Sequence, residues 1–364
     1  MRYSTNYDIG DRKRGAGINE DSVSITVFEE GHREGYLGQT RVASESEERE
    51  DADGRPANRS AAAFVLADGA GGHDAGDAAS YIATTALAER LAPVAIRAVR
   101  THPDTFDLDI DAGVLPETLG PEDVQQAIEE AVVETHREIL RYASESGTQS
   151  YTTVVAGVYA DGKLHLGWVG DSRAYLVNSA REEIVRLTKD HAVVQQWEDA
   201  GEIDAVEAHV HPNGNEITRA LGGSGHEDAE RATVDVDTRT VRLFAEDTVL
   251  VTSDGLIDAQ TDAPNLYEAY VESRKSDEAA DRVLDAVVTD DEIRDVLLDA
   301  DHLDAAAERY VSLANERGGK DNISVLLFDD ATLPATPTNG GLPVRAVDPA
   351  VDITDRETVM FTEE

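Results

Sequence analysis

The sequence contains no cysteine, so disulfides, thiolate-ligated zinc, iron–sulfur clusters and thiolate nucleophiles are excluded, and the cysteine-dependent phosphatases and proteases with them. Lysine is scarce: Lys13, Lys163, Lys189, Lys275 and Lys320 are the only five among 32 basic residues. Basic charge of any kind is outweighed, because 74 acidic residues leave a net charge of -42. Such a surface repels a nucleic-acid backbone instead of releasing its counterions. Long apolar runs are missing as well. The longest stretch without Asp, Glu, Lys or Arg covers residues 146–160 and is rich in Gly, Ser and Thr, short of the roughly 18 apolar residues of a membrane span. The opening MRYSTNYDIG has no apolar core of a signal peptide, so a cytoplasmic location is expected, with neither nucleic acid nor membrane as a partner.

What remains is enough to fold. The chain has 364 residues, of which 40% are apolar, so the acidic excess sits on a chain with core-forming material and not on a disordered tail. Acidic surplus with little lysine suits a salt-rich cytoplasm, since at about 1 M salt the Debye length falls to roughly 3 Å and self-repulsion is screened. Residues 23–28, 62–67, 153–159, 164–169, 173–177, 249–253 and 323–328 are short runs rich in Val, Ile, Leu or aromatics and read as strands. Polar turns at 160–162 and 170–172 favour antiparallel hairpins. Helical spacing appears at Ala79, Ile82, Ala83, Ala86, Leu87 and Leu91, and at Val124, Ile128, Ala131, Val132 and Ile139 after the start signal Pro121-Glu122. Two later helices are expected at 277–288 and 303–315. Runs of antiparallel strands with helices in pairs predict a layered α+β domain. Residues 29–60 read as an acidic loop insertion, 93–120 as a connection between two helices, and 331–364 as a flexible acidic and Pro/Thr-rich tail.

Carboxylates gather at strand ends beside glycine or asparagine: Glu20 and Asp21 before the first strand, Asp68-Gly69 after the second, Asp254-Gly255 after Ser253, and Asp321-Asn322 before the last. Any one Asp-Gly is more often a turn. Four such acidic places, each abutting a buried run, can meet at one sheet edge, where they would repel unless a cation were bound. Oxygen ligands without His or Cys suit Mg²⁺ or Mn²⁺. A fifth acid, Asp171, lies in the turn GDSR, where it caps the turn or pairs with Arg173 unless it joins the others. Asp254 and Asp258, at i and i+4, fall on one side of a helical turn if one begins at Asp254.

In motif order the chain resembles the metal-dependent protein serine/threonine phosphatases of the protein phosphatase 2C type. The matching segments are NEDS (19–22), VLADGAGGHDAGDAAS (65–80), YTTVVAG (151–157), GWVGDSRAYLV (167–177), LTKDH (187–191), ITRALGG (217–223), LVTSDGLID (250–258) and GGKDNISVLL (318–327). The composition resembles that of haloarchaeal proteins. The family resemblance implies a catalytic domain over 1–330 built as a four-layer α-β-β-α sandwich with antiparallel sheets. It implies two metal ions, Mn²⁺ or Mg²⁺, held by Asp21, Asp68, the Gly69 carbonyl, Asp254 and Asp321, with Glu20 acting through water. Asp171 and Asp258 match the acids of a third site. Asp68 and Asp254 would then be central to catalysis, in which water attacks phosphoserine or phosphothreonine in a protein substrate opposite a Ser/Thr kinase. Residues 190–223 would be the flap beside the cleft.

Two positions depart from the pattern. Many relatives carry Arg at the position of Ala16, so phosphate binding is assigned to Arg14, next to Arg12 and Lys13. Some carry His at the position of Ala70 as general acid, which leaves leaving-group protonation to water. His191, His209 and His211 read as loop-capping residues before metal ligands. The rival reading is a catalytically silent module of the same fold used for binding or regulation. The sequence leaves the oligomeric state open.

Overall fold

A computed structural model describes residues 1–15, 17–28, 60–70, 75–99, 118–224 and 228–338. The chain forms two antiparallel sheets packed face to face, each covered by helices on its outer side; the expected α-β-β-α sandwich is the fold observed. The first sheet has the order β1 (Arg2–Asp8), β12 (Ile323–Asp329), β11 (Asp247–Thr252), β7 (Arg173–Asn178) and β8 (Glu183–Arg186). The second runs β10 (Asp237–Arg242), β6 (Lys163–Val169), β5 (Val154–Ala160), β3 (Ala61–Ala70), β4 (Ser150–Thr152) and β9 (Leu221–Gly223). Strand β2 (Asp21–Phe28) lies along the other edge of β3.

Strands β5 and β12 are buried along their whole length because both of their faces are covered. Phe64, Leu66, Tyr159, Leu166 and Trp168 of the second sheet interdigitate with Leu176, Val251, Leu326 and Phe328 of the first, and the Phe64 and Phe328 rings sit 5.2 Å apart across that seam. Each such side chain contributes roughly 1.5–3 kcal/mol by leaving water. The outer face of the second sheet packs under α1 (Gly76–Val99) and α2 (Pro121–Ser146). The first sheet is covered by α7 (Asp290–Asp299) and α8 (Leu303–Arg317), where buried Tyr310 lies among Leu250, Val325 and Leu327.

Several expectations are corrected. Helix α1 does not stop at Pro93 but continues to Val99. Proline costs one backbone hydrogen bond, yet Val94, Ala95 and Val99 keep the buried face going beyond it. The segment expected as one helix over 277–288 is α6 (Asp277–Leu284) followed by a separate α7 that starts at the Thr289 cap; α5 (Ala263–Glu272) precedes both. Most consequential, residues 170–172 do not close a hairpin. They carry the chain from β6 in one sheet to β7 in the other, whereas the 160–162 turn does join the paired strands β5 and β6. Residues 331–338, at the start of the expected tail, lie against the sandwich: Leu333 packs on the inter-sheet core, and the Thr336 hydroxyl accepts from Asn178 at 2.8 Å. The acidic loop at 29–60, apart from Ser60, and the tail beyond 338 lie outside the described residues.

Candidate active site

At one end of the sandwich the strand termini deliver their acids to the seam between the sheets. Asp21, first residue of β2, is the register partner of Asp68 on β3. Opposite Asp68 the ladder is interrupted between β4 and β5 at Thr153: the Asp68 carbonyl accepts from the Thr153 amide at 2.8 Å and the Thr152 hydroxyl at 2.8 Å. Such interruptions re-aim side chains next to functional sites. From the other sheet, β11 ends in a short 3₁₀ turn, Asp254–Leu256, and the Asp258 amide donates to the Asp254 carbonyl at 2.8 Å. The helical turn anticipated at Asp254 is present, with both carboxylates one turn apart. Asp321 lies just before β12. Asp171 sits on the sheet-switching segment, and Arg173 pairs with Asp190 at 2.7 Å, not with Asp171, which was one of the alternatives the turn left open.

Buried polar side chains hold these ends in place. Ser253 Oγ donates to Asp21 Oδ2 at 2.8 Å and accepts from the Ser324 amide at 3.0 Å, linking the acids of both sheets. Asn322 is buried and ties three segments together. Its Oδ1 accepts from the Glu20 amide at 2.9 Å, and its Nδ2 donates to the carbonyls of Ile9 at 3.0 Å and Ile18 at 3.2 Å. Glycines permit the close approach: a Cβ on Gly255 would stand 1.9 Å from the Asn322 carbonyl oxygen, one on Gly69 2.3 Å from that of Gly76, and one on Gly76 2.7 Å from Glu20 Oε1.

The electrostatics follow from crowding. Burial, then the charges of Asp21, Asp254, Asp321 and Asp171, push the Asp68 carboxyl well above its ordinary range. Burial, then Asp171, Asp321 and Asp258, do the same to Asp254. Burial also raises Asp21 against the hydrogen bonds from Ser324 and Ser253 and raises Glu20 against the pull of Lys13. Asp171 rises to about 7 through burial and the fields of Asp190 and Asp258. Asp21 Oδ1 and Asp254 Oδ1 are buried without a hydrogen-bond partner. Among the described residues no three acidic or histidine side chains form a closed ligand cage. An all-oxygen set with mutual repulsion and two orphaned acceptors nevertheless fits hard divalent cations.

The basic residues divide sharply. Arg14 is exposed and donates to Asp8 at 2.8 Å and Asp11 at 3.0 Å, so it can meet a phosphate only by leaving both. Lys13 turns inward and pairs with Asp321. The sequence named Lys13 as a neighbour of Arg14 but gave no reason to prefer it, because the choice depends on how the 10–17 loop folds. Lys320 reaches the flap, donating to Asn215 Oδ1 at 3.0 Å.

The segment 190–223, expected as the flap, comprises α3 (Val193–Asp199), α4 (Ala205–Ala208) and the return through β9. His191 closes its base. The imidazole Nδ1 accepts from the Gly170 amide at 3.0 Å, the His191 amide donates to the Gly170 carbonyl at 3.0 Å, and Nε2 lies 3.3 Å from Asp237 Oδ2. Its histidine was read as a loop residue, and its role at the sheet-switching turn carried no signature in the sequence. Further out, His211 packs edge-on between Trp197 and Tyr267, and Lys275 pairs with Asp204 and Glu207, so the flap rests on α5 and α6.

Known proteins similar to this chain point to one family. The family profile described as protein phosphatase 2C matches residues 39–297. The serine/threonine phosphatase stp of Listeria innocua is 30% identical over 267 residues, covering 73% of this chain and 83% of that protein. The serine/threonine protein phosphatase PstP of Mycobacterium tuberculosis is 30% identical over 266 residues, 73% of this chain and 40% of that protein. The crystal structure of the mycobacterial PstP superposes with a TM-score of 0.56 at 27% identity over 90% of this chain and 97% of that one. A catalytic domain of serine threonine protein phosphatase PstP solved in complex with two manganese ions gives a TM-score of 0.52 at 25% identity, again over 90% and 97%. The chain belongs to the protein phosphatase 2C family. It is, by that membership, an enzyme and a protein phosphatase, and among the described residues no helix is long and apolar enough to cross a membrane.

Proposed function

We propose that this protein hydrolyses phosphoserine and phosphothreonine in protein substrates with the help of divalent metal ions, in the salt-rich cytoplasm where an opposing Ser/Thr kinase acts. The observation that carries the reading is the delivery of Asp21, Asp68, Asp254 and Asp321 from four strand ends to one seam, with two carboxylate oxygens buried and unpartnered. Asp21, Asp68, the Gly69 carbonyl, Asp254 and Asp321 would hold two ions, Mn²⁺ or Mg²⁺, with Glu20 acting through water and Asp171 and Asp258 serving a third. Bound ions supply Lewis-acid polarisation of the phosphoryl oxygens and a lowered pKa for the attacking water.

The chain's own part is placement. Ser253 and Asn322 fix the acids that would otherwise swing apart, and the flap above them narrows the approach to a peptide. A water oxygen bonds to phosphorus as the P–O ester bond breaks, and the serine or threonine oxygen departs as the alcohol with a proton from solvent. Arg14 is the assigned phosphate contact once released from Asp8 and Asp11. A silent binding module would have no use for acids held against their own repulsion.

The experiment is phosphate release from a phosphothreonine peptide in molar KCl, with Mn²⁺ or with chelator, for wild type and Asp254→Asn. Release is expected only with metal, and the variant is expected to lose orders of magnitude in turnover. Release that persists in chelator, or survives the substitution, would refute the reading.

A further inference from the structure

The loop between β1 and β2 is shaped to point one cation into the acidic centre. The Asp11 amide donates to Asn315 Oδ1 at 2.8 Å and the Arg12 amide to the Gly319 carbonyl at 3.1 Å, stapling the loop to the turn that leads into Asp321. The Lys13 amide then donates back to Gly10 at 3.1 Å, and the Gly17 amide closes on the Lys13 carbonyl at 2.9 Å. Gly10 has a φ of +83°, and a Cβ there would stand 2.2 Å from the Asp321 carbonyl oxygen; a Cβ on Gly17 would meet that of Lys13 at 2.9 Å. With the backbone so confined, Arg14 faces Asp8 and Asp11 in solvent while the Lys13 side chain, 29% exposed, reaches Asp321. Burial opposes its charge, but the contact with Asp321 and the fields of Glu20 and Asp68 outweigh that and strengthen it.

We propose that Lys13 is a tethered counter-ion of the metal centre: its ammonium neutralises Asp321 beside Glu20 and Asp68 before metal arrives, and must give up Asp321 for that carboxylate to become a ligand. The inference rests on the metal-dependent reading above and deepens it. An ammonium carries one charge and no acceptor, so it relieves the acids only in part, whereas a divalent ion can be shared among several carboxylates. Lys13 therefore makes two opposite contributions. It steadies the metal-free protein, and it competes with metal for the Asp321 site.

The test is calorimetric titration of Mn²⁺ into the full chain and its Lys13→Met and Lys13→Arg variants at one ionic strength, with thermal melting of each in chelator. Lys13→Met keeps the apolar stem and removes the charge. It is expected to bind Mn²⁺ about threefold to tenfold more tightly, as befits losing one partly screened cation, and to melt at a lower temperature in chelator; Lys13→Arg is expected to stay near wild type in melting. Equal or weaker Mn²⁺ binding by Lys13→Met would overturn the proposal. Failure of the wild type to bind Mn²⁺ at all would instead overturn the metal reading itself, and the competition with it. Should Lys13→Met not fold, ¹⁵N resonances of the wild-type lysine ammonium groups during Mg²⁺ titration serve the same end: the Lys13 signal is expected to move as the ion binds, and an unmoved signal would be as decisive against it.

Discussion

On the metal-dependent reading proposed above, Asp254 would serve activity at the expense of stability. Its carboxyl is buried with one oxygen unpartnered and is driven upward by burial and by Asp171, Asp321 and Asp258, so in the metal-free protein its negative charge is a burden. Asp254→Asn should therefore have two effects of opposite sign: turnover falls by orders of magnitude, while the melting temperature in chelator rises. Asp68→Asn should behave alike, for the same cause. A metal-free melt in which both variants are less stable than wild type would show that these acids are not under mutual strain. This residue-level tension was partly legible in the sequence, because acids beside glycine or asparagine at the ends of apolar runs have no ordinary reason to recur four times. The supporting side chains were not legible. Ser253 and Asn322 stand next to the acids in the chain, but that one bridges Asp21 to Ser324 and the other spans Ile9, Ile18 and Glu20 depends on contacts between segments 71 to 313 residues apart.

Among the elements, those that bury a continuous apolar face were readable and those that pair by backbone alone were not. Strands β5, β6, β11 and β12 announced themselves, while β1, with the polar sequence RYSTNYD, is an edge strand recognisable only from its partner β12. Strands β4 and β9, three residues each, carry too few side chains to show a period. Helix α2 holds its sheet through a polar contact that titrates. His136 is buried on its inner face, and its Nδ1 accepts from the Gly222 amide of β9 at 3.0 Å. Burial, aided by Arg137, lowers its pKa to about 4; burial, aided by Lys163, does the same to His165 on β6, whose Nδ1 meets Thr240 at 2.8 Å. Unfolded, both would take up a proton near pH 6.5. Between those values the unfolded chain binds more protons than the folded one, so stability is full above about pH 6.5 and is lost as pH falls toward about 4, by about 1 to 3 kcal/mol for each histidine. Urea unfolding at pH 7 and pH 5 should show the loss, and His136→Gln, which retains a hydrogen-bond acceptor, should reduce it. An unchanged pH dependence in that variant would place the acid sensitivity elsewhere.

For the whole molecule, charge and topology matter more than any single contact. A net charge of -42 repels itself over about 10 Å in 0.1 M salt but only about 3 Å at 1 M. The melting temperature should accordingly climb between about 0.1 M and about 2 M KCl, and circular dichroism that melts at one temperature throughout would mean the repulsion is already compensated by local pairs such as Arg2 with Asp329 and Arg173 with Asp190. Fold class could be read from the sequence because the runs of strands and helices are unlike a strict alternation. The crossing at residues 170–172 could not, since the same turn residues suit a hairpin and a change of sheet. Strand β12 lies inside its sheet, between β1 and β11, and Asp321 and Asn322 arrive only with it. During synthesis Asp21 leaves the ribosome some three hundred residues before Asp321 does. A growing chain is thus a scatter of unmatched acids, and on the metal-dependent reading proposed above it would gain a pocket able to chelate, and with it the power to strip phosphate from its neighbours, only when that late strand slots into place.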